Sequence, residues 1–457
     1  MTIGSVRRCL LLAALLLVFS LPGATLPAGA QGRSLSLIRD AEIETTIRLY
    51  SAPLFEAAHL DPQAVQVMIV NDRSLNAFVA GGQRIFINTG LLMAAATPNQ
   101  LIGVIAHETG HIVGGHLART QEALENASVQ AILAMVLGGV AAAAGAGQAA
   151  GAIIAGGTSA AQQSFLRYSR AQESVADQAA VRLLDATGQS PKGLMDFMAE
   201  LGNQELLVAE SQDPYVRTHP ISQERVEALR AALQRSRYAD AADAPGLRAK
   251  HERMRAKLFG YLNGLEPTLR KYPESDTSLP ARYARAIAYH QGRQSAKALA
   301  AIDGLIAELP DDPYFEELKG QVLLESQRIE EAIPAYARAV ELLPGNALLR
   351  LGLGQAQVSS QGTEHLAAAV GNLRKATELE PDMPEAWRHL ATAYARDGQE
   401  AMAALATAER YALYGQYRDV GLMAARAKRG LQTGTPAYLR AEDLAGLAKN
   451  MLEREDR

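Results

Sequence analysis

The feature that most constrains this chain is the pattern H-E-x-x-H, filled by His107, Glu108 and His111 within an apolar stretch. Thr97 is a suitable N-cap and Pro98 a suitable first residue, so the stretch predicts a buried helix that starts there. The two histidines are four residues apart, which places both imidazoles on one helical face. Such a pair is typical of a zinc site, and the glutamate beside them is placed to act as a general base toward water.

A zinc peptidase needs a third protein ligand. His116 follows His111 by five residues, one short of the spacing in the long zinc motif H-E-x-x-H-x-x-G-x-x-H. Because one residue turns a helix by about 100°, we expect His116 to point elsewhere. A later helical stretch carries Glu173 and Asp177 four residues apart, which predicts a His₂Glu ligand set with Asp177 as an acceptor for a ligand histidine. The alternatives are two hydrogen-bonded histidines without metal and a solvated acidic face.

The N-terminus has the features of an export signal. Two arginines precede an apolar run from Leu10 to Leu21, and Ala28-Gly29-Ala30 forms an A-x-A cleavage site. Cleavage after Ala30 removes the only cysteine, so the mature chain has no disulfide. The alternative is an uncleaved anchor, but the apolar run is short for a membrane span. The sequence therefore predicts export across the bacterial inner membrane to the periplasm.

Composition favours helices and excludes one class of partner. The net charge is −4 with no long basic block, so nothing indicates nucleic acid. Alanine is abundant and aromatic residues are few, which favours helices over sheets. Two short β-rich runs, residues 65–70 and 84–88, are separated by a turn-rich segment. They predict a small sheet packed on the metal helix, with an edge strand that can hold an extended peptide.

Residues 126–166 carry no charged side chain, and glycines interrupt the apolar run. One interpretation is a hairpin over the active site that touches substrate or makes peripheral membrane contact. The other is a glycine-rich helical pair packed on its own domain. Two true membrane spans are a third interpretation, which the short uninterrupted lengths disfavour.

The second half of the chain shows a 34-residue period, which is typical of tetratricopeptide repeats. One unit is marked by Gly320, Leu323, Ala332, Tyr336, Ala339 and Pro344. Gly354 follows Gly320 by 34 residues, and a displacement of three in the next unit indicates an insertion near Gln361 and Gly362. We expect three to four repeats that stack on a shared core and offer a concave surface to other proteins. The alternative is an unrelated helical bundle.

Four segments taken together carry a family resemblance: NAFVAGGQRIFINTGLL, HETGH, YSRAQESVAD and THPISQERV. They resemble the HtpX/Oma-type gluzincin metallopeptidases, and within them the soluble periplasmic branch that carries helical repeats. The resemblance implies that His107, His111 and Glu173 hold one zinc ion per chain and that Glu108 is the general base. It also implies a proton-donor role for Asp177, although its position fits support of a ligand histidine equally well.

The same resemblance assigns a role to His219, which precedes a proline and is therefore expected to be extended or at a turn. It implies that His219 can occupy the fourth zinc position and hold the enzyme latent. A second possibility is that His219 or Arg225 stabilises the oxyanion during catalysis. A third is an ordinary loop histidine.

These interpretations predict a mainly α (α+β) protein, in which a gluzincin-type zinc peptidase domain with a small sheet precedes a repeat solenoid. The predicted segments are 1–30 as signal peptide, 31–234 as zinc metallopeptidase domain, 235–275 as helical connector, 276–437 as repeat domain and 438–457 as C-terminal capping helix and tail. The resemblance implies action on unfolded or misassembled outer-membrane β-barrel proteins, with repeats that contact the barrel assembly machinery. The alternatives are a chaperone with a latent protease site and an integral membrane protease.

Overall fold

The computed structural model describes residues 36–119, 169–202, 215–216 and 219–455. The predicted signal peptide at 1–30 and the uncharged segment 126–166 lie outside these residues. The described chain is mostly helical with one small sheet, which confirms the predicted fold class. Within the described ranges, no helix combines the length and the apolar character that a membrane crossing requires.

We use the term peptidase half for the first half of the described chain, which the sequence analysis predicts to be a peptidase domain. It contains all four strands and the first six helices that we label. The strands are β1 Leu37–Ile38, β2 Gln66–Val70, β3 Ala77–Ala80 and β4 Arg84–Asn88. The helices are α1 Ala41–Ala57, α2 Thr89–Ala94, α3 Pro98–Val113, α4 through residues 169–186, α5 Lys192–Gly202 and α6 Gln223–Arg235.

The second half is entirely helical over its described residues. Its helices are α7 Leu247–Asn263, α8 Leu265–Lys271, α9 Leu279–Gln291, α10 Ser295–Glu308, α11 Pro313–Glu325, α12 Ile329–Leu342, α13 Ala347–Ser359, α14 Leu366–Leu379, α15 Pro384–Arg396, α16 Glu400–Leu413, α17 Tyr417–Gly430 and α18 Pro436–Glu455.

The sheet has the strand order β1-β2-β4-β3, so β3 is an edge strand. The two predicted β-rich runs form β2 and β4, which pair in parallel. Strand β3 pairs antiparallel with β4 and lies in the turn-rich segment between the two predicted runs, where the sequence analysis does not predict a strand. The short run between the turn signals pairs with β4 through its backbone. Phe78 stacks on Phe86 across the two strands, with ring centroids 5.0 Å apart.

Helix α3 begins where the capping signals predict. Thr97 accepts a hydrogen bond from the backbone N–H of Gln100 at 3.3 Å, and Pro98 occupies the first turn. The helix packs tightly on α5 because glycines face it: a Cβ added to Gly103 would lie 2.8 Å from the backbone of Leu194. This close contact anchors α3, which carries the H-E-x-x-H pattern, in the core of the peptidase half.

The repeat helices α9–α18 stack as successive pairs, which confirms the tetratricopeptide period. The ring of Tyr336 packs between Gly320 and Gly352, where an added Cβ would approach it to 2.7 Å and 2.5 Å. Six residues join α13 to α14, whereas three join α11 to α12, which places the predicted three-residue insertion between α13 and α14. Arg396 donates hydrogen bonds to the carbonyls of Ser360 and Gly362 at 2.8 Å each and so holds the longer loop.

Helix α7 joins the two halves through buried charges rather than as an exposed linker. Lys257 is almost fully buried and lies 2.8 Å from Asp40 Oδ2 and 3.3 Å from Glu42 Oε2, at the start of α1. The hydroxyl of Tyr283, on the first repeat helix α9, donates to Glu42 at 2.8 Å. Arg253 on the same α7 helix ion-pairs with Glu42. Because these buried charges depend on one another, the repeats are held in a defined position against the peptidase half.

Candidate metal centre

The two motif histidines meet at the inner face of α3. His107 is fully buried and His111 is partly buried, one helical turn later. Their Nε2 atoms are 3.1 Å apart, so both rings direct the same nitrogen toward one point. This arrangement follows from the four-residue spacing, which places the side chains one above the other on a helix.

The third predicted ligand arrives from α4, which carries Glu173. Glu173 Oε2 lies 3.3 Å from His107 Nε2, and Oε1 lies 3.3 Å from His111 Nε2. The approach of α4 depends on Gly110 inside the H-E-x-x-H motif, where an added Cβ would lie 2.8 Å from the carbonyl oxygen of Ala176. A larger residue at position 110 would therefore push the helix that carries Glu173 away from the two histidines.

These three side chains fit a tetrahedral metal ion. Zinc–ligand bonds of about 2.0–2.1 Å in a tetrahedron place the ligand atoms roughly 3.3 Å apart, close to the distances between His107, His111 and Glu173. Within the described residues, neither carboxylate oxygen of Glu108 has a hydrogen-bond partner, although the side chain is fully buried. A buried carboxylate normally has a partner, so Glu108 fits a role toward water or substrate at the metal.

The far nitrogen of His107 is held by an acidic residue. His107 Nδ1 lies 2.9 Å from Asp177 Oδ1, and Arg225 donates two hydrogen bonds to the same carboxylate. Burial disfavours the charged form of Asp177, but Arg225 and His107 together outweigh that effect and lower the pKa of Asp177 to about 2. Burial likewise opposes protonation of His107, yet Asp177 and Glu173 outweigh it and raise its pKa to about 10. The carboxylates give this cluster a surplus of negative charge, which favours a bound cation. On binding, a cation takes the place of protons on the Nε2 atoms that face the cluster.

His116 lies directly behind the second motif histidine. Its Nδ1 is 2.9 Å from His111 Nδ1, the nitrogen remote from the other ligands. The side chain is buried, and Gln172 donates to its backbone carbonyl at 3.3 Å. The five-residue spacing turns His116 away from the ligand cluster, as the sequence analysis expected of its direction, but brings its ring against His111.

His219 joins the cluster from the loop before α6. Its Nδ1 lies 3.2 Å from both oxygens of Glu173, and its ligand atom groups with those of His107 and His111 within 4.8 Å. Nε2 of His219 is 3.2 Å from the carbonyl oxygen of Ala77, the first residue of the edge strand β3. His219 is buried, and its position links the ligand cluster to the strand on which a peptide could lie.

The structure therefore brings together every residue that the sequence singled out for the site. These residues are His107, Glu108, His111, Glu173, Asp177, His219 and Arg225. The sequence analysis missed Tyr215, whose ring lies 4.7 Å from that of His219, and the contact of Ala77 with His219. Neither carries a sequence signal, since an isolated tyrosine and a strand-end alanine match no metal-site motif. Gly110 had a signal in its place inside the motif, where it lies between the two histidines and directly precedes His111.

Two family models match the chain. Peptidase family M48 covers residues 39–233, and a tetratricopeptide repeat model matches residues 283–347 and 317–367. The chain is 28% identical over 370 residues to the beta-barrel assembly-enhancing protease of Yersinia pestis, covering 79% of this chain and 75% of that protein. It is 24% identical over 426 residues to the protein of that name from Escherichia coli (strain K12), covering 92% and 86%.

A third relative matches a smaller share of the chain. Metalloprotease LoiP of Escherichia coli (strain K12) is 26% identical over 204 residues, which is 43% of this chain and 74% of that protein. Residues 39–233 are thus a Peptidase family M48 metallopeptidase domain, and the chain joins this protease to an array of tetratricopeptide repeats.

Proposed function

We propose that this chain is an exported zinc endopeptidase of the periplasm that acts on unfolded or misassembled outer-membrane β-barrel proteins. The observation that carries the enzymatic part is the convergence of His107, His111 and Glu173 beside the buried carboxylate of Glu108, which makes no hydrogen bond within the described residues. The substrate class is supported by the names of relatives that align with most of the chain. The location is supported by the export signal that the sequence predicts for residues 1–30.

In the proposed reaction, His107, His111 and Glu173 hold zinc, and Glu108 handles the proton. The metal, when bound, supplies Lewis acidity toward the scissile carbonyl. Glu108 takes a proton from the attacking water and passes it to the leaving amine, which its place next to His107 allows. Asp177, whose Oδ1 lies 2.9 Å from His107 Nδ1, keeps His107 in one orientation, and Arg225 keeps Asp177 ionised and in place.

We assign substrate alignment to the edge strand β3. An extended peptide can add to its free side by backbone hydrogen bonds. His219 now contacts the carbonyl of Ala77, which an added strand would need, and its Nδ1 contacts Glu173. We therefore favour His219 as a latch that must leave before a peptide binds. The alternative role, support of the oxyanion, applies to His219 after that movement.

The repeats are assigned to recruitment of substrate or of the barrel assembly machinery. Their support is the stacked helical array and its fixed attachment to the peptidase half through Lys257 and Arg253. Peripheral membrane contact by residues 126–166 stays a prediction from the uncharged sequence. A role as a chaperone alone has no structural observation in its favour, because the residues needed for catalysis lie together.

The test compares the mature protein with Glu108→Gln and with Glu341→Gln, an exposed glutamate on the repeats. We expect about one zinc per chain in all three proteins. Casein cleavage should persist in the control and fall by a factor of at least about 100 in Glu108→Gln, because general bases typically contribute that much or more. The proposal would be contradicted by wild-type protein that contains no zinc, or by a Glu108→Gln variant that cleaves casein as fast as wild type.

A further inference from the structure

The side chain that contacts the far nitrogen of His111 is another histidine. The two Nδ1 atoms are 2.9 Å apart, and the rings meet edge to face with centroids 4.9 Å apart. Two ring nitrogens can bond at this distance only when one carries a proton and the other presents a lone pair. When Nε2 of His111, which faces Glu173 and His107, holds the metal, the neutral ring carries its proton on Nδ1 and can donate it to His116.

The ring of His116 occupies a space, here called its seat, that the backbone at Gly114 leaves open. A Cβ added to Gly114 would lie 2.3 Å from His116 Nε2, so only glycine leaves room for the ring. Gly115 follows with φ of +62°, a left-handed conformation that glycine adopts without strain and that ends α3. The chain thereby reverses direction after α3, which brings His116 back against the last turn of that helix.

A second contact ties this seat to the helix that supplies the third ligand. Gln172 precedes Glu173 on α4 and donates to the backbone carbonyl of His116 at 3.3 Å. His116 is therefore in contact with the neighbourhood of two predicted ligands. Its ring contacts His111 directly, and its backbone carbonyl accepts from Gln172, the residue before Glu173. The side chain is 4% exposed, so the ring has little freedom to turn away.

We propose that His116 is a positioning residue that fixes the ring plane and tautomer of His111 so that Nε2 points at the metal. This inference rests on the proposed zinc site. The two ligand histidines are then supported differently: Asp177 gives His107 a charged acceptor, whereas His116 gives His111 a neutral one. A histidine five residues after the motif thus supports a ligand, whereas one six residues after it would supply one.

The test uses an isosteric pair of variants in the mature, full-length protein. His116→Asn keeps an acceptor oxygen near the position of Nδ1, whereas His116→Leu replaces it with a methyl group of similar shape. Val113→Ala, at the exposed last residue of α3, is the control. The zinc dissociation constant is measured by competition with a chromophoric chelator, and cobalt-substituted protein reports ligand geometry through its visible absorption bands.

We expect His116→Leu to bind zinc about 10–100-fold more weakly than wild type, as loss of such supporting partners commonly does. His116→Asn should recover most of that loss, and Val113→Ala should match wild type. The cobalt bands should shift in His116→Leu and return in His116→Asn. Thermal unfolding of the chelator-treated proteins shows whether each variant still folds.

Two results would overturn the inference. One is equal zinc affinity and an unchanged cobalt spectrum in His116→Leu. The other is equal weakening in His116→Leu and His116→Asn together with equal loss of metal-free stability, which would make His116 a packing residue only. Wild-type protein that binds no zinc would overturn the proposed function and this inference with it, so the two failures are told apart by the wild-type measurement.

Discussion

Arg225 donates two hydrogen bonds to Asp177, with Nε 2.7 Å from Oδ2 and Nη2 2.8 Å from Oδ1. Burial raises the pKa of Asp177, but Arg225 and His107 together outweigh that effect and lower it to about 2, so the residue is a carboxylate at neutral pH. A carboxylate accepts protons and has none to donate. The geometry therefore favours support of His107 over the proton-donor role that the family resemblance implies for Asp177.

Asp177→Asn tests this assignment. The amide keeps the shape of the side chain but removes the charge that Arg225 and His107 both face, so we expect zinc affinity to fall by about 10–100-fold. Chelator competition measures the affinity, and cleavage is assayed at saturating zinc. Wild-type affinity combined with lost cleavage would instead indicate a role in proton transfer.

His219→Ala tests the latch. If His219 must leave both Glu173 and Ala77 before substrate binds, its removal should raise casein cleavage roughly tenfold, as expected when about one molecule in ten is open at rest. The initial rate of casein cleavage at fixed zinc measures the effect. A fall in cleavage would favour the oxyanion role, and no change would make His219 an ordinary loop residue.

Gly110→Ala tests the close approach of α4 to the metal helix. An added methyl group meets the backbone of Ala176, so we expect a loss of about 1–3 kcal/mol in the free energy of unfolding together with weaker zinc binding. Gly304→Ala is the matched control, since nothing lies within 4 Å of its Cβ position in helix α10. That control should gain about 0.5–1 kcal/mol from helix propensity alone. Equal effects at both positions would contradict steric contact at Gly110.

Glu317→Gln tests the buried charges between α7 and the repeats. Burial, strengthened by Asp40 and Glu42, raises the pKa of Glu317 to about 8 against the pull of Lys257. A carboxyl group whose folded pKa exceeds its unfolded value loses stability as the pH rises from about 4.5 to 8. The neutral glutamine avoids that loss.

Glu317→Gln should therefore lie within about 1 kcal/mol of wild type near pH 5 and exceed it by about 4 kcal/mol near pH 8. Urea unfolding at both pH values measures the difference, with Glu341→Gln as the exposed control. A less stable Glu317→Gln protein at pH 8 would show that Glu317 is ionised and pairs with Lys257.

Local spacing in the chain is enough to predict much of this protein. The four-residue interval between His107 and His111 orients both rings, because helix geometry is the same in every context. Thr97 and Pro98 mark the start of α3 for the same local reason. The repeat period predicts the helical array, since each unit packs mainly on its sequence neighbours.

Contacts between distant segments had to come from the folded chain. Strand β3 forms because β4 offers it a partner, and no run of residues 77–80 alone requires that. The approach of α4 through Gly110, the bond from His116 to His111 and the contact of His219 with Ala77 join residues whose sequence separations carry no periodic signal. Such contacts are set by packing across the whole core, so only the tertiary structure determines which side chains orient the metal ligands and which one blocks the substrate strand.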